Sequence, residues 1–266
     1  MLKIMTCMKP VPDPASRLAI GEDKKWIRDH DLTFGPSEAD EYALEAALRL
    51  TEAHGGEVVV LSLGGERSGR LLRTGLAKGA ARAIQLADSQ FDGGDEYATA
   101  RALSRAVAKD GGADLVLTGV QSDDLGTGIT GVLLAELLGW PHASVVIAVE
   151  SDAGGSMVRV RRELEAGTNE LLEVEIPAVL TIQYGINEPR YASLKGIMAA
   201  KKKEIRVWTA ADLGLSRREV GAAGALYEVN DLLVPEQRRE VQMIQGSPPE
   251  AAGSLVELLR REARAI

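Results

Sequence analysis

Glycines 126, 128 and 131 stand in a polar loop between two apolar runs. Leu115-Val-Leu-Thr118 has the length and composition of a buried strand, and Gly119 ends it. Residues 132–138 follow as a helix, stopped by Gly139 and Pro141. A strand, a glycine loop and a helix start, in that order, can bind an anion. The first N–H groups of a helix lack partners, its dipole favours negative charge, and glycine lets a phosphate come close. The plain alternative is a tight connection whose glycines serve geometry only. This stretch alone leaves both readings open.

Other chemistry is sparse. His30, His54 and His142 are dispersed, and none has metal-ligand spacing to another His or to Cys7. Cys7 lies inside a strand pattern and reads as a small buried hydrophobe rather than a nucleophile. Asp123 and Asp124 could hold a metal, but a solvated polar loop is the simpler reading. No Gly-x-Gly-x-x-Gly follows the first strand, and no Gly-Lys-Ser/Thr occurs. The reading is a nucleotide-type fold with a binding loop and no reaction of its own, so not an enzyme.

The elements that must position the loop alternate. Residues 2–8 form a first buried strand, and Lys9-Pro-Val-Pro-Asp-Pro14 leaves it as an extended loop. A hairpin is expected around residues 21–26. Residues 37–50 form a helix with Ser37 as N-cap and acids in its first turn. A strand over 57–63, a helix over 67–79, a short strand over 83–86 and a helix over 94–109 lead to the central strand; residues 144–149 form the next. This alternation predicts a doubly wound, mostly parallel α/β sheet of Rossmann type, with a nucleotide at its switch point. Residues 157–165 and 170–175 then form a β-hairpin around the turn at 166–169, and residues 176–183 another buried strand. Residues 204–250 show little sign of a core. With a last amphipathic helix over 255–265 they read as an arm lying on a partner. The expected division is a nucleotide-binding domain over 1–185 and, over 186–266, a recognition segment with a partner-wrapping arm.

Bulk properties narrow the setting. The 266 residues carry a net charge of −8, which argues against nucleic acid as a partner. A single cysteine excludes an internal disulfide framework and suits a reducing compartment. The first ten residues do not read as a signal peptide, and no apolar run is long enough for membrane insertion. A cytoplasmic location is expected.

Five motifs carry a resemblance. Lys9-Pro-Val-Pro-Asp13, Asp40-Glu-Tyr-Ala-Leu-Glu-Ala-Ala-Leu-Arg-Leu50, Gly119-Val-Gln-Ser-Asp-Asp124 and Arg161-Arg-Glu-Leu-Glu-Ala-Gly167 occur in order. Beyond Ile176-Pro-Ala-Val-Leu-Thr181 comes Asn187-Glu-Pro-Arg-Tyr-Ala-Ser-Leu-Lys-Gly-Ile-Met-Ala-Ala-Lys-Lys-Lys203. From about residue 1 to 214 the chain closely resembles the β subunit of electron-transfer flavoprotein. The resemblance implies a heterodimer with an α subunit that holds most of the FAD. It implies a structural AMP in the β subunit. It also implies electrons received from dehydrogenases, such as acyl-CoA dehydrogenases, and passed to a quinone reductase or other acceptor.

Carried onto this sequence, the resemblance places AMP against Cys7, against Ser37, Glu38, Ala39 and Asp40, and against Leu63. It adds the loop residues Gly119, Gln121, Ser122, Asp123, Gly126, Thr127, Gly128, Ile129 and Thr130. It implies a docking loop with Leu194, Ile197 and Met198 as anchors, where the simple alternative is a core helix. It implies that Glu163 touches the flavin domain, where the simple alternative is a surface pair with Arg161 or Arg162. Two departures bear on the nucleotide. The Asn-Pro-aromatic common before the first helix is Gly35-Pro-Ser37 here, and Leu125-Gly-Thr-Gly-Ile-Thr130 lacks the usual glutamine. A bifurcating-type subunit with a second FAD in place of AMP is therefore the alternative. A nucleotide-binding stress-type protein is another, from a different class.

Overall fold

The computed structural model describes residues 1–151, 155–235 and 241–266. The chain runs β1 (Leu2–Cys7), β2 (Pro10–Pro12), β3 (Phe34–Pro36), α1 (Glu38–His54), β4 (Gly56–Leu63), α2 (Glu66–Lys78) and β5 (Arg82–Leu86). It continues with α3 (Glu96–Lys109), β6 (Leu115–Gly119), α4 (Thr130–Leu138), β7 (His142–Ser151), β8 (Met157–Glu163) and β9 (Asn169–Glu175). Then come β10 (Ala178–Ile182), α5 (Leu194–Ala200), β11 (Ile205–Trp208), α6 (Gly221–Gly224) and α7 (Pro248–Leu258).

Nine strands form one sheet in the order β11-β5-β4-β1-β6-β10-β7-β8-β9. Pairing is parallel from β11 to β7, and β8 and β9 add an antiparallel hairpin. This is the expected mostly parallel α/β sheet. Helix-length apolar stripes cover both faces, because alternate strand residues point to opposite sides. Ile4, Val58, Leu117 and Leu180 pack with Leu44 and Leu72 on one face. Met5, Leu61, Val116 and Val179 pack with Leu103 and Leu134 on the other. The chain passes from β1 outward to β4 and β5, then returns to β6 on the opposite side of β1. The strand order therefore reverses between β1 and β6, and the crevice at their C-terminal ends is the topological switch point.

The described residues divide into two compact units, Met1–Asn230 and Asp231–Ile266. Residues 186–230, grouped by sequence with the arm, join the first unit. Two contacts put them there: α5 packs on α2, and β11 extends the sheet beside β5. Residues 204–220 thus correct the expectation of a coreless segment. Ala210, Leu213, Leu215 and Val220 are buried in the second core cluster. At four residues β11 is too short for its alternation to announce an edge strand. The hairpin expected near Gly21 is a tight turn closed by the bridge between Ile20 and Ile27. In the second unit α7 starts earlier than expected. Ser247 and Glu250 form a capping box, and Pro248 occupies the first turn, where its missing N–H costs nothing. No residue of α7 is buried.

Candidate functional site

The C-terminal ends of β1 and β6 are tied together by one carboxylate. Asp40, in the first turn of α1, accepts the Lys9 N–H at 2.8 Å on one oxygen and the Gly119 N–H at 2.9 Å on the other. The acids of this turn suggest simple helix-dipole pairing, but Asp40 is only 7% exposed and joins two strand ends. Burial pushes its carboxyl up to about 7, against the pull of these two N–H groups and of the Lys9 charge. The approach is close: a Cβ on Gly119 would lie 2.7 Å from the Ala39 Cβ and 2.7 Å from the Asp40 carboxylate.

The loop after β6 folds back over α1. The Asp123 carboxylate accepts the Glu38 N–H at 2.7 Å and the Tyr184 hydroxyl at 2.9 Å. Ser37 occupies the N-cap position, but its hydroxyl makes no cap bond and instead accepts the Asp123 N–H at 3.2 Å. Lys9 Nζ reaches Asp124 at 2.7 Å and Ser122 at 3.3 Å. These contacts occupy the start of α1 and neutralise one aspartate of the loop.

The start of α4 is different. Its N-cap, Ile129, supplies no side-chain cap, and the first helical bond is Leu133 N–H to the Ile129 carbonyl. Among the described residues, the N–H groups of residues 127–132 have no acceptor within the chain. Gly126 and Gly128 both hold positive φ, which turns the backbone into this helix start. Gly131 lies tight on the sheet: a Cβ there would lie 2.6 Å from Thr118 Oγ1 and 2.6 Å from Thr181 Cγ2. The result is an uncapped, glycine-edged row of donors beside the switch point. Its chemistry suits a phosphate, with no side-chain cation required.

The expected site residues sit at the C-terminal edge of the parallel strands. Ser37, Glu38, Ala39, Asp40, Gly119, Ser122 and Asp123 lie in mutual contact or within one shared loop. Gly126, Thr127, Gly128, Ile129 and Thr130 lead into α4, and Gln121 is exposed beside them. Cys7 ends β1 with its thiol in the core, pushed up to about 12 by burial and by the Asp40 charge, so it offers only backbone. Leu63 ends β4, on the far side of β1, and its carbonyl accepts the Ser68 hydroxyl. Tyr184 is the residue that sequence reasoning missed. It stands two residues past the end of β10, at the same sheet edge, and its position just past a buried strand is the signal that could have found it. Its ring packs edge-on against Tyr42 at 6.0 Å. Among the described residues no group of His, Cys, Asp and Glu could hold a metal ion.

The docking candidates fall elsewhere. Glu163 ends β8 and accepts the Gln183 side-chain N–H at 3.1 Å, while Arg162 pairs with Glu170. Leu194, Ile197 and Met198 lie on α5 and face outward; Leu194 is 83% exposed and Met198 70%. Only Ala200 of α5 is buried, so α5 is not a core helix.

The sheet with its reversal of strand order between β1 and β6 defines a doubly wound, mostly parallel α/β protein. A family model for the electron transfer flavoprotein domain matches residues 25–213. The chain is 38% identical over 260 residues to an electron transfer flavoprotein subunit beta of Methylophilus methylotrophus, covering 97% of this chain and 98% of the relative. It is 34% identical over 266 residues to the subunit beta of Bacillus subtilis, covering 100% of both. The chain belongs to the electron transfer flavoprotein family, among its β subunits.

Proposed function

We propose that this chain pairs with an α subunit to form a heterodimeric electron carrier, and that it holds a structural AMP while the α subunit holds most of the FAD. The names of its relatives support the carrier role, and hence a subunit that is not itself an enzyme. FAD, when bound, supplies the one- and two-electron redox chemistry. The start of α4 is the observation that carries the AMP reading. Its free N–H groups would hold the phosphate, and Gly131 sets their distance from the sheet. Asp40 holds the ends of β1 and β6 in register beneath it. Asp123 already fills the start of α1, so the anion belongs at α4.

The outward apolar side chains of α5 are the docking anchors for dehydrogenases such as acyl-CoA dehydrogenases, with Lys195, Lys201 and Lys202 as a charged rim. Glu163 is the contact to the mobile flavin domain. The unit Asp231–Ile266 wraps the α subunit, which would cover the exposed Leu255 and Val256 of α7. No helix of the described residues is long and apolar enough to cross a membrane. We place the complex in the cytoplasm, with a quinone reductase or other acceptor taking the electrons.

Titration of the nucleotide-stripped heterodimer with AMP, ATP and FAD tests the reading. Saturable AMP binding at one site per heterodimer is expected. Preferred FAD binding at that site would replace it with the bifurcating-type reading, and ATP turnover would replace it with the stress-type reading.

A further inference from the structure

We propose that Arg190 and Arg73 are positioning residues that fasten α5 by its two ends, so that its apolar side chains stay outside. The inference rests on the docking reading of α5. A seven-residue helix is far below the length that is stable alone in water, so tertiary contacts must hold it. Helices are usually held by burying an apolar face. Here that face is turned away: Leu194, Ile197 and Met198 are exposed, and Ala200 alone is buried. Something other than apolar burial fixes α5.

The leading end is held to α1. Arg190 donates from Nε to Glu45 at 2.7 Å and from Nη2 to Glu45 at 3.1 Å and to Glu52 at 3.0 Å. Its Nη1 completes the pair with Glu52, and its backbone N–H reaches Glu45 at 3.2 Å. Arg49 closes the cluster, donating to Glu45 at 2.6 Å and to the Glu188 carbonyl at 3.0 Å. Asn187 adds a bond to the Tyr42 carbonyl at 3.0 Å. The Glu45 side chain is 4% exposed. Burial pushes its carboxyl up, yet Arg190 and Arg49 bring it below the ordinary value, so it stays charged. Ser193 then caps α5 through the Gly196 N–H at 3.0 Å.

The far end is held to α2. Arg73 Nη1 donates to the carbonyls of Ala200 and Lys203, both at 2.6 Å, and so grips the turn in which Ala200 also accepts the Lys203 N–H at 3.2 Å. Lys203 Nζ reaches back to the Ala80 carbonyl. Between the two ends, Gly196 lies against α2 so closely that a Cβ would stand 2.3 Å from the Ala77 carbonyl oxygen. The Arg190 fork, the single Arg73 nitrogen shared by two carbonyls and one glycine contact thus replace the missing apolar burial. Anchors held in place before contact lose less freedom on binding, which is the gain from such a clamp.

The test uses the heterodimer with Arg190→Lys, Arg73→Lys, Gly196→Ala and Leu194→Ala. Both lysines keep the charge; Arg190→Lys loses the bidentate fork, and Arg73→Lys shortens the reach to the two carbonyls. Gly196→Ala disturbs the same seat without touching an ion pair. Amide hydrogen exchange over residues 187–203 is read first. The first three variants should speed it about tenfold, the effect of losing ~1.4 kcal/mol of local stability. Exchange in β1, β4 and β6 should stay unchanged. Reduction by a purified acyl-CoA dehydrogenase is read second. The same three variants should raise KM for the carrier and leave kcat within about twofold. Leu194→Ala should raise KM with exchange unchanged. Wild-type exchange in all three clamp variants would overturn the clamp, whatever Leu194→Ala does. Faster exchange with KM unchanged in every variant, Leu194→Ala included, would overturn the docking reading beneath it. A KM raised by Leu194→Ala alone, with exchange faster in the others, would overturn the positioning role.

Discussion

Replacing Gly131 with alanine should cripple nucleotide binding while leaving the chain folded. The added Cβ would lie 2.6 Å from Thr118 Oγ1 and 2.6 Å from Thr181 Cγ2, where ordinary contact begins at 3.4 Å. About 0.8 Å must therefore be found on each side. The threonines are poorly placed to give it. Thr118 is buried on β6 and donates to the Gly119 carbonyl at 2.9 Å. Thr181 is buried on β10 and accepts the Val145 N–H at 3.1 Å. The first turn of α4 must lift instead. Overpacking of this kind costs about 1–3 kcal/mol of stability. The larger loss falls on the ligand, because in the proposed site the lifted N–H groups are the phosphate donors. Losing two hydrogen bonds to a charged group, each worth ~1.5–3 kcal/mol, weakens binding by at least about a hundredfold. Calorimetric titration of AMP into the stripped heterodimer measures this, and a thermal melt checks the fold. Thr181→Ser removes the offending methyl, keeps the hydroxyl that Val145 needs, and should recover part of the loss in the double variant. An AMP affinity for Gly131→Ala within twofold of wild type, in a folded protein, would refute the placement of the phosphate at α4.

Three further outcomes follow from the same cradle. The raised pKa of Asp40 means that the folded state binds a proton more readily than the unfolded chain. Its contribution to stability is therefore full below about 4 and is lost as pH rises through about 7. Between pH 5 and 7 about 2 kcal/mol is at stake, and Asp40→Asn should flatten that slope in denaturant unfolding. Asp123→Ala removes the cap on Glu38 and the partner of Tyr184; it should cost about 1–2 kcal/mol in the same assay. It should also let the Tyr184 hydroxyl, held up at about 12, titrate lower in an absorbance titration. The Cys7 thiol, buried and held near 12, should resist alkylation at pH 8 until the chain unfolds.

Local pattern carried the parts of this molecule that local chemistry decides. The apolar runs of β1, β4 and β6 and the acid-led stripe of α1 could be read directly, as could the glycine loop before α4. Contacts made over long sequence separations could not. Ser37 has the right type for an N-cap, but Asp123, from a loop 86 residues away, supplies the bond, while the Ser37 hydroxyl turns outward to that loop. Tyr184 joins the site only because β10 slots in beside β6. The four residues of β11 form a strand because β5 offers an open edge. The apolar spacing of α5 fits a core helix equally well. Its exposure is decided by Arg190 and Arg73, whose partners lie more than a hundred residues away.

The most direct test of the account is the identity of the nucleotide released when the purified heterodimer is denatured. Chromatography with mass spectrometry should find one AMP and one FAD per heterodimer. Two FAD and no AMP would contradict the account and place a flavin in the cradle between β1, β6 and α4. A cradle that releases nothing, and takes up neither nucleotide when titrated, would contradict the site itself.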